Sequence, residues 1–192
     1  MTNPSELEQK LRMLVIDDGD DEYCSFFLRR DKEDFIVTDK SFAELAKYDG
    51  LYRRYGDIFT VDEALTFCDP MFSRKTWAKM MLKDRKYDLI VVKDVFVSQC
   101  LNGDEISRVI RGRDLHYGNV SPQNAKTYII CYPSFWQVVE DYRANPKKAL
   151  DRWACDAIVI GEKCAARDLF IEIDKYLAEH HPEKLAYIRL YT

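Results

Sequence analysis

Four short, continuous apolar runs punctuate the chain: Met13 to Ile16, Leu89 to Val92, Tyr128 to Cys131 and Ala157 to Ile160. None alternates with polar residues, which predicts strands covered on both faces, as in a parallel sheet. A fifth strand is expected at Asp57 to Thr60, in preference to Phe35 to Thr38. Helical spacing fills the intervals. Glu22 to Arg30 gathers Tyr23, Phe26 and Phe27 on one side. Asp62 to Phe67 predicts the start of a further helix, with Trp77 to Leu82 on the same helix or the next. Asp104 to Arg111 aligns Ile106, Val109 and Ile110, and Ala165 to Ala178 aligns Leu169, Phe170, Ile173 and Leu177. Between them, Trp136 to Tyr142 and Ala149 to Trp153 are separated by Asn145-Pro146, a pair that interrupts a helix. Strands alternating with helices predict an α/β fold around a parallel sheet.

Three segments read as insertions or decorated loops: 39–56, 69–75 and 112–126. The first carries Tyr48, Tyr52 and Tyr55 beside Arg53 and Arg54. Tyr and Arg anchor interfaces well. The same tyrosines packing onto their own domain is the reading we favour. The end of the chain, LAYIRLYT, alternates as a short strand would, and predicts a tail that extends a sheet edge or pairs with a second subunit.

Composition narrows the class of protein. Of 192 residues, 47% are hydrophobic, enough for one full core. A net charge of -4 gives no electrostatic basis for binding nucleic acid. No apolar run reaches the length of a membrane span, and the opening MTNPSELEQKLR lacks the apolar centre of a secretory signal. The six cysteines form no C-x-x-C pair and have no histidine at ligand spacing. Their scatter fits a reducing compartment, so a cytoplasmic location is expected, with Cys131 and Cys155 as buried thiols.

Carboxylates collect where the strands end. The first strand runs into Asp17-Asp18-Gly19-Asp20-Asp21. Sites in open parallel sheets form beyond the carboxyl ends of strands. Carboxylates crowded there call for a hard cation such as Mg²⁺, while Asp20 and Asp21 also suit the N-terminus of a following helix. The third strand runs through Lys93 into Asp94, then a loop, then Asn102-Gly103-Asp104-Glu105-Ile106.

Taken together, these segments resemble the receiver domains of two-component response regulators. LVIDD is similar to their first strand and acidic pair. IFTVDEAL resembles the second strand and the start of the helix after it. YDLIVVKDVFV with NGDEISRVIR resembles the phosphoacceptor strand and the following helix. TYIICYPS is similar to the fourth strand, and CDAIVIGEKCAARDLFIEI to the fifth strand, its lysine and the last helix. The resemblance implies a flavodoxin-like (CheY-like) three-layer sandwich, with a five-stranded parallel sheet in the order 2-1-3-4-5 plus insertions. It places the receiver-like domain at 12–178, after an N-terminal arm at 1–11 and before a C-terminal tail at 179–192. It implies a signalling module, not an enzyme. Asp94 would accept the phosphoryl group, Ser134 and Lys163 would contact it, and Asp17, Asp18 and Asp94 would hold Mg²⁺. A histidine kinase or phosphotransfer protein would act upstream, with a downstream protein partner.

Departures from the family pattern leave two readings open. An ungapped alignment puts Lys93 at the acceptor position and Asp94 one residue later. It also puts Pro133 where Ser134 is wanted, and Gly161 where Lys163 is wanted. A bulge would restore Asp94 to the pocket. Lys93 in its place would pair with Asp17 or Asp18 and substitute for the metal. That arrangement is a pseudo-receiver, working without phosphorylation as an adaptor or assembly subunit. With seven glycines in all, a Gly-rich nucleotide cradle is not expected.

Overall fold

The computed structural model describes residues 9–17, 54–65, 85–93, 103–114, 121–133, 136–160 and 166–191. Five strands form one sheet: β1 (Leu11–Asp17), β2 (Phe59–Leu65), β3 (Leu89–Lys93), β4 (Tyr128–Tyr132) and β5 (Ala157–Ile158). Their order is β2-β1-β3-β4-β5 and every pairing is parallel. This is the order expected above. The described helices are α1 (Gly103–Ile110), α2 (Trp136–Ala144), α3 (Pro146–Trp153), α4 (Ala166–His180) and α5 (Pro182–Tyr191).

Strand alternation divides the core into two layers, one on each sheet face. Met13, Val15, Leu89, Val91, Ile130 and Tyr132 pack with Leu169, Ile173 and Leu177 of α4. Leu14, Ile16, Ile90, Val92, Ile129 and Cys131 pack with Ile106, Val109 and Ile110 of α1, and with Ala149 and Trp153 of α3. Both faces of the strands are therefore dry, which is why they read as unbroken apolar runs. Cys131 and Cys155 are buried, as expected.

Two expected elements need correction. Asp62 does not start a helix. It lies in the middle of β2, which pairs with β1 residue for residue from Leu11↔Phe59 to Asp17↔Leu65. Seven consecutive ladder positions outweigh the weak helical preference of VDEAL, and the strand is displaced from Asp57–Thr60 accordingly. The C-terminal tail is likewise a helix, not a strand. Pro182 occupies its first turn, a position that does not need the missing N–H. Leu185 and Ile188, three residues apart, enter the same apolar layer as α4. Lys184 Nζ donates to Gln9 O at 2.6 Å, tying this helix to the residues before β1. The strand on which pairing with a second subunit was expected is thus absent.

The tyrosines of the first insertion are described only at Tyr55, which is fully buried. Its hydroxyl donates to Asp174 Oδ1 at 2.8 Å and lies 3.0 Å from Phe170 O, while Arg54 pairs with Asp174 at 2.6 Å. Burial pushes this hydroxyl well above the usual tyrosine range. Tyr55 therefore packs onto its own domain; Tyr48, Tyr52 and Arg53 lie outside the described residues. The expected helix at Glu22 to Arg30, the alternative strand at Phe35 to Thr38, the helical segment Trp77 to Leu82 and the insertion at 69–75 also lie outside them.

Asn145 caps α3 by accepting Lys148 N at 3.1 Å, and Pro146 begins it. This is the interruption expected from the sequence. At the other end, Cys155 N donates to Leu150 O and Ala154 N to Asp151 O, which ends the helix with Ala154 left-handed at φ 48°. The equivalent position after α1 is Gly112, at φ 67°. An alanine in this region is strained by its Cβ. Ala154→Gly is expected to raise stability by about 0.5–1 kcal/mol, the relief of strain exceeding the entropy of the added glycine. Urea denaturation would show this as a higher midpoint at unchanged slope.

Candidate functional site

The carboxyl ends of β1, β3 and β4 lie side by side. Ile16 pairs with Val92, and Lys93 with Tyr132, so residues leaving these strands emerge at one sheet edge. Asp17 is the last residue of β1 and Lys93 the last residue of β3. Pro133 follows β4 and is buried. Of the expected site residues, Asp17 falls on this edge. Asp18, Asp94, Ser134 and Lys163 lie outside the described residues. The helix expected after the acceptor loop begins at Gly103 and carries Asp104 and Glu105 in its first turn, facing α1's positive end.

Among the described residues, a buried carboxylate with three donors lies elsewhere and was missed from sequence. Asp62 of β2 is fully buried. Its Oδ2 accepts from Arg12 at 3.0 Å, Arg85 at 2.9 Å and the Tyr87 hydroxyl at 2.8 Å. Burial, with Asp62 next, holds the Tyr87 hydroxyl above its ordinary range. The only sequence signal was a carboxylate inside FTVDEAL, and the helical reading of that segment concealed it.

A second polar centre adjoins it before the start of β3, where Arg85 and Tyr87 take part in both. Asn124, at the end of the supposed insertion 112–126, is fully buried. Its carbonyl accepts Tyr87 N at 2.8 Å, and its amide donates to Arg85 O at 2.7 Å and Ser121 Oγ at 2.9 Å. Thr127 donates to Tyr87 O at 2.9 Å. The end of that segment is a structural staple and not a decoration. Arg111 adds another, donating to Ala154 O and Ala125 O and pairing with Asp156, which in turn accepts Ile129 N.

Beside these staples runs a groove of about 1030 Å³, lined by Lys86, Lys126, Tyr128, Tyr176, His180 and His181 among others. The rings of Tyr128, Tyr176 and His180 contact one another with centroids 5.0–5.5 Å apart. Partial burial, then Asp156, Glu172 and Glu179, push the Tyr128 hydroxyl up to about 12. The ring cluster is closed on itself, and the groove mixes lysines with carboxylates, so its charge selects no ligand class. Among the described residues no set of His, Cys, Asp or Glu has metal-binding geometry, and no helix is long and apolar enough to cross a membrane.

No family model and no curated protein matches the chain. Among solved structures, it is similar to the response regulator TrrA from Thermotoga maritima, crystallised with Mg²⁺-BeF. Identity is 19%, over 88% of this chain and 100% of that one, with a TM-score of 0.47. A two-component response regulator from Clostridium difficile is 18% identical over 90% and 99% of the two chains, with a TM-score of 0.46. The receiver domain of the Francisella response regulator 1452 is 16% identical over 88% and 98%, again at 0.46. The fold is flavodoxin-like, in the CheY-like order. That statement rests on the sheet itself, five parallel strands ordered β2-β1-β3-β4-β5.

Proposed function

We propose that this chain is a receiver-like signalling module that regulates a partner by protein–protein contact, with Asp94 as its phosphoryl acceptor. The observation that carries the reading is the sheet edge where β1, β3 and β4 end together, with Asp17 closing β1. In this topology sites form beyond the carboxyl ends of the strands. An Asp94 carboxylate oxygen would attack phosphorus as the bond to a phosphohistidine nitrogen of the donor protein breaks. The donor set Asp17, Asp18 and Asp94 consists of hard oxygens and suits Mg²⁺. When bound, the cation neutralises phosphoryl oxygens. Ser134 would hydrogen-bond the transferred group and Lys163 would pair with it.

A second reading has its own observation. Lys93 is the last residue of β3, in register with Tyr132, so the strand ends on a cation at the alignment position of the acceptor. A pseudo-receiver of this kind would act as an adaptor without phosphorylation.

Incubation with acetyl phosphate and Mg²⁺, read by intact mass, separates the two. The expected result is one phosphoryl adduct, with acetate released, absent in Asp94→Asn. No adduct, together with no Mg²⁺ binding by calorimetric titration, would sink phosphoryl acceptance and leave the adaptor reading.

A further inference from the structure

The interior of β3 carries little information about its own register. Leu89 and Val91 enter one apolar layer, Ile90 and Val92 the other, and all four are buried. A strand with one wet face is held in place because a slip of one residue turns its apolar side chains to water. Here both faces are dry. A slip exchanges one branched aliphatic for another, the kind of swap that cores tolerate best.

The residues just before the strand are different. Arg12 and Asp88 bond reciprocally. Asp88 N donates to Arg12 O at 2.9 Å, and Arg12 N donates to the Asp88 carboxylate at 2.8 Å. Tyr87 N donates to the Asn124 side chain at 2.8 Å, and Tyr87 O accepts from the Thr127 hydroxyl at 2.9 Å. The Tyr87 hydroxyl reaches Asp62 of β2, and Asp88 O accepts from the Tyr176 hydroxyl of α4 at 2.9 Å. Tyr87 and Asp88 are thus bonded to β1, β2, α4 and the segment before β4. Sliding β3 by one residue in one direction sets Leu89 beside Arg12, whose N–H then loses its carboxylate. Sliding it in the other direction carries Asp88 into the fully buried place of Leu89, where a carboxylate is costly.

We propose that Tyr87 and Asp88, with Asn124 and Arg12 as partners, form a register lock that sets, from the amino-terminal end of β3, which residue leaves the strand at the candidate site. Lys93 ends the strand five residues beyond Asp88, about 16 Å away at about 3.3 Å per residue. With the lock engaged, Lys93 takes the last ladder position, opposite Tyr132, and Asp94 follows it. Asp88 and Asn124 are therefore positioning residues that act on the site edge through the strand. The lock itself does not depend on phosphoryl chemistry; its effect on Asp94 rests on the function proposed above.

Adding one leucine between Asp88 and Leu89 sets the lock against the packing of the strand. Backbone NOEs between β3 and β4 in the isotope-labelled full-length chain read the outcome. In the unaltered chain Val91 lies opposite Ile130 and Lys93 opposite Tyr132. The expected result is that Asp88 stays beside Arg12 and the strand slides on by one, bringing Val92 opposite Tyr132. Lys93 still opposite Tyr132 overturns the lock, whether Asp88 has been displaced or the extra residue is taken up in a bulge. If that variant fails to fold, one valine added to the Val91-Val92 pair leaves the residue type at every interior position unchanged. It should set a valine opposite Tyr132, and Lys93 retained there overturns the lock in the same way. A slid variant should also take up the phosphoryl group from acetyl phosphate about a hundredfold more slowly, because Asp94 is carried one residue past the edge. An unchanged rate in a slid variant overturns the positioning role. If the unaltered chain takes up no phosphoryl group, the proposed function fails, and the NOEs still judge the lock.

Discussion

Asp62→Ala is expected to lower the free energy of unfolding by about 3 kcal/mol, the low end for breaking a buried ion pair. The carboxylate is fully buried and one oxygen takes all three donors. Its removal leaves the Tyr87 hydroxyl, 2.8 Å away in the same buried site, without an acceptor. The two arginines suffer less, because their side chains are 38% and 36% exposed and regain water. That is why the low end applies. Urea denaturation with a double-mutant cycle would check the assignment. In the background Arg12→Met with Arg85→Met, the same Asp62→Ala change should cost markedly less, since without its cations the buried carboxylate is itself uncompensated. An equal cost in both backgrounds would mean that Asp62 acts through its shape and not its charge.

Asn124→Ala should be comparably damaging, at about 2–4 kcal/mol. Each buried polar group left without a partner costs about 1–3 kcal/mol. Here the Tyr87 N–H loses its acceptor, and the Arg85 carbonyl keeps only the longer bond from Gln123 Nε2 at 3.4 Å. Asn124→Asp is the informative control. It preserves the acceptor for Tyr87 N but loses the donor and turns a carboxylate oxygen toward the Arg85 carbonyl, so it should rescue little. Thermal unfolding would show both variants with lowered midpoints. A cost below 1 kcal/mol for Asn124→Ala would show that Thr127 and the backbone hold the start of β3 without it.

Both sites join residues far apart in sequence, and this explains what could be read beforehand. The four apolar runs that became β1, β3, β4 and β5 are short-range signals, as are the stripes of α1 and α4. Pro146 marked the break between α2 and α3 for the same local reason. Asp62 lacked such a signal. Its segment favours helix weakly, and only pairing with the whole of β1 makes it a strand. Asn124 looked like loop composition because its partners, Arg85 and Tyr87, lie nearly forty residues away.

The candidate site divides in the same way. Carboxylates following apolar runs are visible in the sequence, and the parallel order brings the ends of those runs to one edge. The choice between Lys93 and Asp94 depends on where β3 stops, a property of its ladder with β4.

By itself, then, the sequence determined the layered α/β class, the buried strands and the acidic ends that make a receiver-like reading chemically sensible. These depend on patterns a few residues long. The tertiary structure alone decided that VDEAL is an edge strand carrying a buried carboxylate, and that the last ten described residues form a helix. The physical reason is the same in each case. Local preferences there are small, and the free energy that settles them comes from burying apolar side chains and pairing polar ones across long stretches of chain.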